Sequence, residues 1–147
     1  MVDDRLLTRS IMSSPVETIP RGSSALAAAE RMAERRVLHL VVLDAKGRVA
    51  GVVSDRDLRS AQPSLLLVPD AEMRKKALAT LKVDDVMTSH PSTVREDLPV
   101  EEALTDMLRR RVGCLPVVDR QGALVGIVTG GDVTKLAIEL LRERARR

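Results

Sequence analysis

The sequence predicts a mixed α/β (α+β) fold made of one unit written twice, and three observations carry that expectation. The stretch Ile11 to Leu58 aligns without a gap on Val86 to Val133, 75 residues further on, with matches such as Met12/Met87, Leu40/Leu115, Gly51/Gly126 and Asp57/Asp132 spread over its length. Each copy carries apolar residues at helical spacing, then short runs rich in β-branched residues. A unit this small cannot hide its apolar face alone, so the copies are expected to stack into one module. The expected boundaries are 1–60 for the first repeat, 61–82 for a helical linker, and 83–147 for the second repeat with a C-terminal basic helix.

In order, each repeat opens on a lead-in segment, Ile11-Met12 or Val86-Met87. A first helix follows, read from Ala25, Ala28, Ala29, Met32 and Ala33 in one copy and Val100, Ala103, Leu104, Met107 and Leu108 in the other. The runs Val37 to Leu43 and Val112 to Val118 are too short for another helix and read as strands. Asp44-Ala45-Lys46-Gly47 and Asp119-Arg120-Gln121-Gly122 supply turn chemistry before second strands at Val49 to Val53 and Leu124 to Val128. A second helix starts near Asp57 and near Asp132. Between repeats, Gln62-Pro63-Ser64 breaks the chain, and the spacing of Met73, Ala77 and Leu81 predicts a helix over Asp70 to Leu81.

Composition narrows the function classes. There is no Phe, Tyr or Trp, so no ring can stack on a base and any ligand must be gripped by aliphatic walls and backbone. The formal charge of +3 is carried entirely by the tail, where Arg142, Arg144, Arg146 and Arg147 outweigh Glu143. The body is neutral, which argues against a nucleic-acid footprint and fits a solvated, dipole-favourable helix end. The longest apolar run, Leu65 to Val68, is far short of the roughly twenty residues of a membrane span. A single cysteine, Cys114, and no secretion-type leader point to a reducing, cytoplasmic setting.

The chemistry-bearing pattern closes each repeat: Gly51-Val52-Val53-Ser54-Asp55-Arg56-Asp57 and Gly126-Ile127-Val128-Thr129-Gly130-Gly131-Asp132. A hydroxyl capping a helix leaves backbone N–H groups outward for a phosphate, and an acid three residues on can accept from a ribose diol. The glycines would let backbone approach something closely. The same spacing satisfies a capping box, in which the acid turns back to its own chain. Spacing supports either reading.

Met12 followed by Thr18, the strands Leu40-Val41-Val42-Leu43-Asp44 and Leu115-Pro116-Val117-Val118-Asp119, and the closing Gly-x-x-[Ser/Thr]-x-x-Asp resemble tandem cystathionine β-synthase (CBS) domains, the pair called a Bateman module. The resemblance covers nearly the whole chain. It implies two β-α-β-β-α repeats packed by pseudo-twofold symmetry, with two clefts that take adenine nucleotides or adenosyl compounds of the AMP, ADP, ATP or S-adenosylmethionine type, and a homodimer.

Carried over by position, the resemblance assigns phosphate contact to Ser54 and Thr129 and ribose hydroxyls to Asp57 and Asp132. It completes the Ser54/Asp57 cleft with Ser89, Pro91, Thr93 and Val94, and the Thr129/Asp132 cleft with Ser14, Pro15, Thr18 and Ile19. Leu38, His39, Gly113 and Cys114 would flank the base. Leu38 and Gly113 stand where some members carry an arginine, which favours a monophosphate or an uncharged adenosyl ligand over a polyphosphate. Arg56 faces Gly131 in the repeat register, so tighter phosphate binding is expected at the Ser54/Asp57 cleft, against the neighbouring charge of Asp55.

Other patterns carry less. His39, His90 and Cys114 do not form a zinc site of familiar spacing, and the acidic pairs Asp3/Asp4, Asp55/Asp57, Asp84/Asp85 and Glu101/Glu102 read as helix starts or solvated charge. Cys114 occupies the repeat position of His39, which is the basis for a thiol-enzyme alternative. The paired methionines read as flexible core filling. The expected function is thus a regulatory, non-catalytic sensor requiring no cofactor or metal, with an adenosine-containing ligand, an effector protein on another chain, and no membrane or nucleic-acid partner. A ligand-free dimerisation scaffold is the main alternative, and a small hydrolase or thiol enzyme the lower one.

Overall fold

The computed structural model describes residues 6–147, so the Asp3/Asp4 pair lies outside the described residues. Its contacts group into two compact units, which do not follow the linear repeats: residues 17–91 form one, and residues 6–16 with 92–147 form the other. The lead-in of the first repeat therefore joins the sheet of the second.

The 17–91 unit begins with β1 (Thr18–Pro20) and α1 (Ala25–Arg35), whose N-terminus is capped by Ser24 Oγ accepting from Ala27 N at 3.0 Å. A hairpin of β2 (His39–Leu43) and β3 (Val49–Ser54) follows, then α2 (Asp55–Ala61), α3 (Ala71–Thr80), α4 (Val83–Val86) and β4 (Thr88–Ser89). The sheet order is β1-β2-β3-β4, parallel between β1 and β2 and antiparallel elsewhere. Its core gathers Ile19, Ala25, Ala28, Met32, Leu40, Val42, Val53, Leu58, Leu78 and Val83. The expected linker helix exists as α3, capped by Asp70, and it contributes Leu78 to this core.

The other unit repeats the plan. A 3-10 turn at Thr8–Ser10 precedes β5 (Val94–Arg95), α5 (Val100–Arg110), the hairpin β6 (Cys114–Val118) and β7 (Leu124–Thr129), and α6 (Gly130–Ala145). The sheet order is β5-β6-β7. Val94, Ala103, Met107, Leu115, Val117 and Val128 form the core, with Ile11 and Met12 of the lead-in packed against it.

Both hairpins turn by the same device. Asp44 Oδ1 accepts from the N–H groups of Lys46 and Arg48, and Asp119 Oδ1 from those of Gln121 and Ala123, all at 2.9 Å. Gly47 and Gly122 take φ of 73° and 83°, which a side chain would resist. The register shifts at Val42/Leu43 and again at Val117/Val118, so even the irregularity is duplicated. No helix among the described residues is long and apolar enough to cross a membrane.

Candidate functional site

The second strand of each hairpin runs directly into a helix, and the duplicated motif sits at that corner. In the 17–91 unit, Ser54 Oγ accepts from Asp57 N at 3.1 Å and Asp57 Oδ2 accepts from Ser54 N at 2.8 Å. This is the reciprocal capping box. Asp55 N donates to Leu38 O at 2.9 Å, and Asp55 pairs with Arg59 one turn on. Of the first three backbone N–H groups of α2, only that of Arg56 has no acceptor among the described residues. The expected outward N–H groups are thus reduced here to one: the cap takes Asp57 N, Leu38 O takes Asp55 N, and Arg56 N is left open among the described residues.

Asp57 is half-buried, and its Oδ1 accepts no hydrogen bond among the described residues. Beside it stands the exposed Arg56, which makes no ion pair among those residues. His39, paired with Ser54 across the β2–β3 ladder, has its imidazole pKa pushed below the ordinary value by burial, against the opposing charge of Asp57. Leu38, just before it, is 66% exposed.

The matching corner in the other unit is tighter. Asp132 Oδ2 accepts from Thr129 N at 2.8 Å and from Thr129 Oγ1 at 3.1 Å, while Oδ1 accepts from Ser13 Oγ at 2.8 Å. The residue is only 5% exposed. Gly130 N donates to Gly113 O at 3.3 Å, leaving the N–H group of Gly131 without an acceptor among the described residues. Both acids thus turn toward their own chain, the arrangement the capping-box reading predicts.

Several expected site residues have other occupations. Ile19 and Val94, 3% and 6% exposed, are core side chains of their units. Thr18 lies beside Ile19 in β1, in the unit of Ser54 and not that of Thr129; Thr93 and Val94 belong to the unit of Thr129 and line a 390 Å³ cavity with Glu101, Glu102, Asp106 and Arg109. Ser14 Oγ donates to Val125 O at 2.9 Å, and Pro15 is exposed on the same lead-in. Ser89 pairs with Gly51 through β4, with Pro91 two residues on. Gly113 is exposed and Cys114 is buried at the start of β6.

Gly51 and Gly126 are required by methionines. A Cβ at Gly51 would meet Met87 Cγ at 2.9 Å and Thr88 O at 3.0 Å, and one at Gly126 would meet Met12 Cγ at 2.8 Å. The close approach anticipated at these glycines is made by the lead-in side chains. Sequence reasoning missed Ser13: the resemblance brought its neighbours Ser14 and Pro15 to the Thr129/Asp132 corner, but the hydroxyl that reaches Asp132 is one residue earlier.

The fold, duplicated in register with a hydroxyl–acid corner in each half, is matched by the CBS domain family over residues 8–64 and again over 83–139. The chain belongs to the CBS domain family, as a tandem pair. A CBS domain-containing protein of Dictyostelium discoideum is 34% identical over 137 residues, covering 93% of this chain and 94% of that one. The CBS-pair protein CBSX2 of Arabidopsis thaliana superposes with a TM-score of 0.78 at 29% identity over 94% of this chain and 98% of that one. A structure of CBSX2 in complex with AMP gives 0.70 at 31% over 91% and 97%. The CBS domain pair of protein MJ0100, in complex with 5′-methylthioadenosine and S-adenosyl-L-methionine, gives 0.72 at 26% over 90% and 95%.

Proposed function

We propose that this CBS pair is a regulatory, non-catalytic module that binds an adenosine-containing small molecule, of the AMP or S-adenosylmethionine type, at the corner built by Ser54, Arg56 and Asp57. The observation that carries the reading is the half-buried Asp57 carboxylate, whose Oδ2 is fixed by Ser54 N while Oδ1 is left open to a ribose hydroxyl, beside a guanidinium, that of Arg56, that is suited to phosphate, neither having a partner among the described residues. Leu38, His39 and Ser89 border this corner, since β2 and β4 flank β3. That relatives crystallised with AMP and with adenosyl compounds supports the ligand class. The absence of an arginine at Leu38 favours one phosphate or none.

The output is a population shift: a ligand that binds one arrangement of the chain better than another favours it by that difference in affinity, for an effector protein to read. We also propose a homodimer in the cytoplasm. Its support is the apolar groove of 520 Å³ between α5 and α6, lined by Leu104, Leu108, Leu136 and Leu140, with Leu108 81% exposed. A ligand-free scaffold is the second reading, favoured by the capping bonds that both acids make to their own chain.

Thermal unfolding against AMP, ADP, ATP and S-adenosylmethionine separates the two. A ligand at a hundredfold its Kd adds about 2.7 kcal/mol to the native state, so the midpoint must rise. Arg56→Ala should weaken AMP roughly tenfold by removing a charge-assisted donor. An unmoved midpoint with all four compounds leaves the scaffold.

A further inference from the structure

We infer that Ser13 holds the Asp132 corner shut, so that each chain carries one adenosine site, at Asp57, rather than two; the inference rests on the adenosine-binding reading above. A ribose diol is recognised by donating hydrogen bonds to a carboxylate, which requires an oxygen with open acceptor capacity. At Asp132 three of about four acceptor positions are filled, Oδ2 by the amide and hydroxyl of Thr129 and Oδ1 once by Ser13 Oγ at 2.8 Å, and the residue is only 5% exposed, which keeps a sugar from the remaining lone pair. A sugar would have to displace the serine hydroxyl and uncover the acid.

The serine is not loosely placed. Its backbone exchanges two hydrogen bonds with Ile127, at 2.9 and 3.0 Å, and the preceding Met12 side chain packs in the space left by Gly126. Met12 N is held in turn by Thr8 O at 3.1 Å. Three successive anchors thus deliver one hydroxyl to one carboxylate oxygen.

The other copy lacks this contact. In the repeat register Ser13 corresponds to Thr88, whose backbone pairs with Val52 and whose exposed side chain donates nothing to Asp57 among the described residues. The asymmetry arises in the lead-in segments, outside the hydroxyl–acid motif that both copies share.

The test combines calorimetric titration of AMP with carbodiimide labelling of carboxylates by glycine ethyl ester, read by mass spectrometry without nucleotide. The wild-type chain should bind one AMP and label at Asp57 but not at Asp132. Ser13→Ala should raise Asp132 labelling severalfold and bring the stoichiometry to two, whereas Ser13→Thr, which keeps the hydroxyl, should behave as wild type. Two AMP per wild-type chain, equal labelling of both acids in wild type, or unchanged Asp132 labelling in Ser13→Ala each overturns the inference. Labelling that follows the Ser13 substitutions while no variant binds AMP keeps Ser13 as the shield of Asp132 and removes the adenosine reading instead.

Discussion

His39 links the candidate site to the stability of the fold. Burial, outweighing the favourable charge of Asp57, holds its pKa below the ordinary value of about 6.5, so the unfolded chain takes up a proton before the folded one does. Its contribution is therefore complete above that value and is lost as pH falls through it toward the folded pKa. Unfolding midpoints measured from about pH 8 down to about pH 5 should decline in the wild type and decline less in His39→Gln. Parallel curves would contradict the assignment. The depressed carboxylates act lower: Asp84, held first by the Gly22 amide and then by Arg21, gives stability that is lost only as acid passes below the ordinary range of about 3.8. At this scale the motif residues were legible in the sequence, but their direction was not. Spacing placed Ser54 three residues from Asp57 and Thr129 three from Asp132; only coordinates distinguish a carboxylate with an open oxygen from one that is enclosed.

Helices and hairpins were readable because their signals are local. Apolar spacing marked α1 and α5, and the Asp-x-x-Gly turns marked both hairpins. Two features escaped. Arg36 and Arg111 end α1 and α5 in the left-handed region, at φ of 54° and 56°, where a glycine would be the expected signal. The exchange of lead-ins between copies also escaped the residue pattern, since a short segment's own pattern does not say which sheet edge it joins; only the CBS resemblance pointed to it, by completing the Thr129/Asp132 cleft with Ser14 and Pro15. A glycine facing a methionine was the available clue. The packing of Met12 over Gly126 can be tested by a double-mutant cycle in urea. Gly126→Ala should cost about 1–3 kcal/mol, because the added methyl collides with Met12 Cγ and Cβ. In a Met12→Ala background the same change should cost about 1 kcal/mol less. Strict additivity would show that the side chain does not occupy that space.

Over the molecule as a whole, duplication conserves architecture and lets chemistry diverge. The two units share the hairpin, its turn and its register shift, all set by residues that match 75 positions apart. They differ where side chains are free to vary: Arg56 against Gly131, and Thr88 against Ser13. The proposed functional asymmetry rests on these positions, and on an acid that is half-buried in one unit and enclosed in the other. The most direct test is calorimetric titration of AMP into wild type, Asp57→Asn and Asp132→Asn. Asparagine retains an oxygen for the cap but loses the charge that strengthens bonds from ribose hydroxyls. The account predicts binding to wild type, at least about tenfold weaker binding to Asp57→Asn, and little change in Asp132→Asn. Equal affinity in wild type and Asp57→Asn, or loss confined to Asp132→Asn, would contradict it.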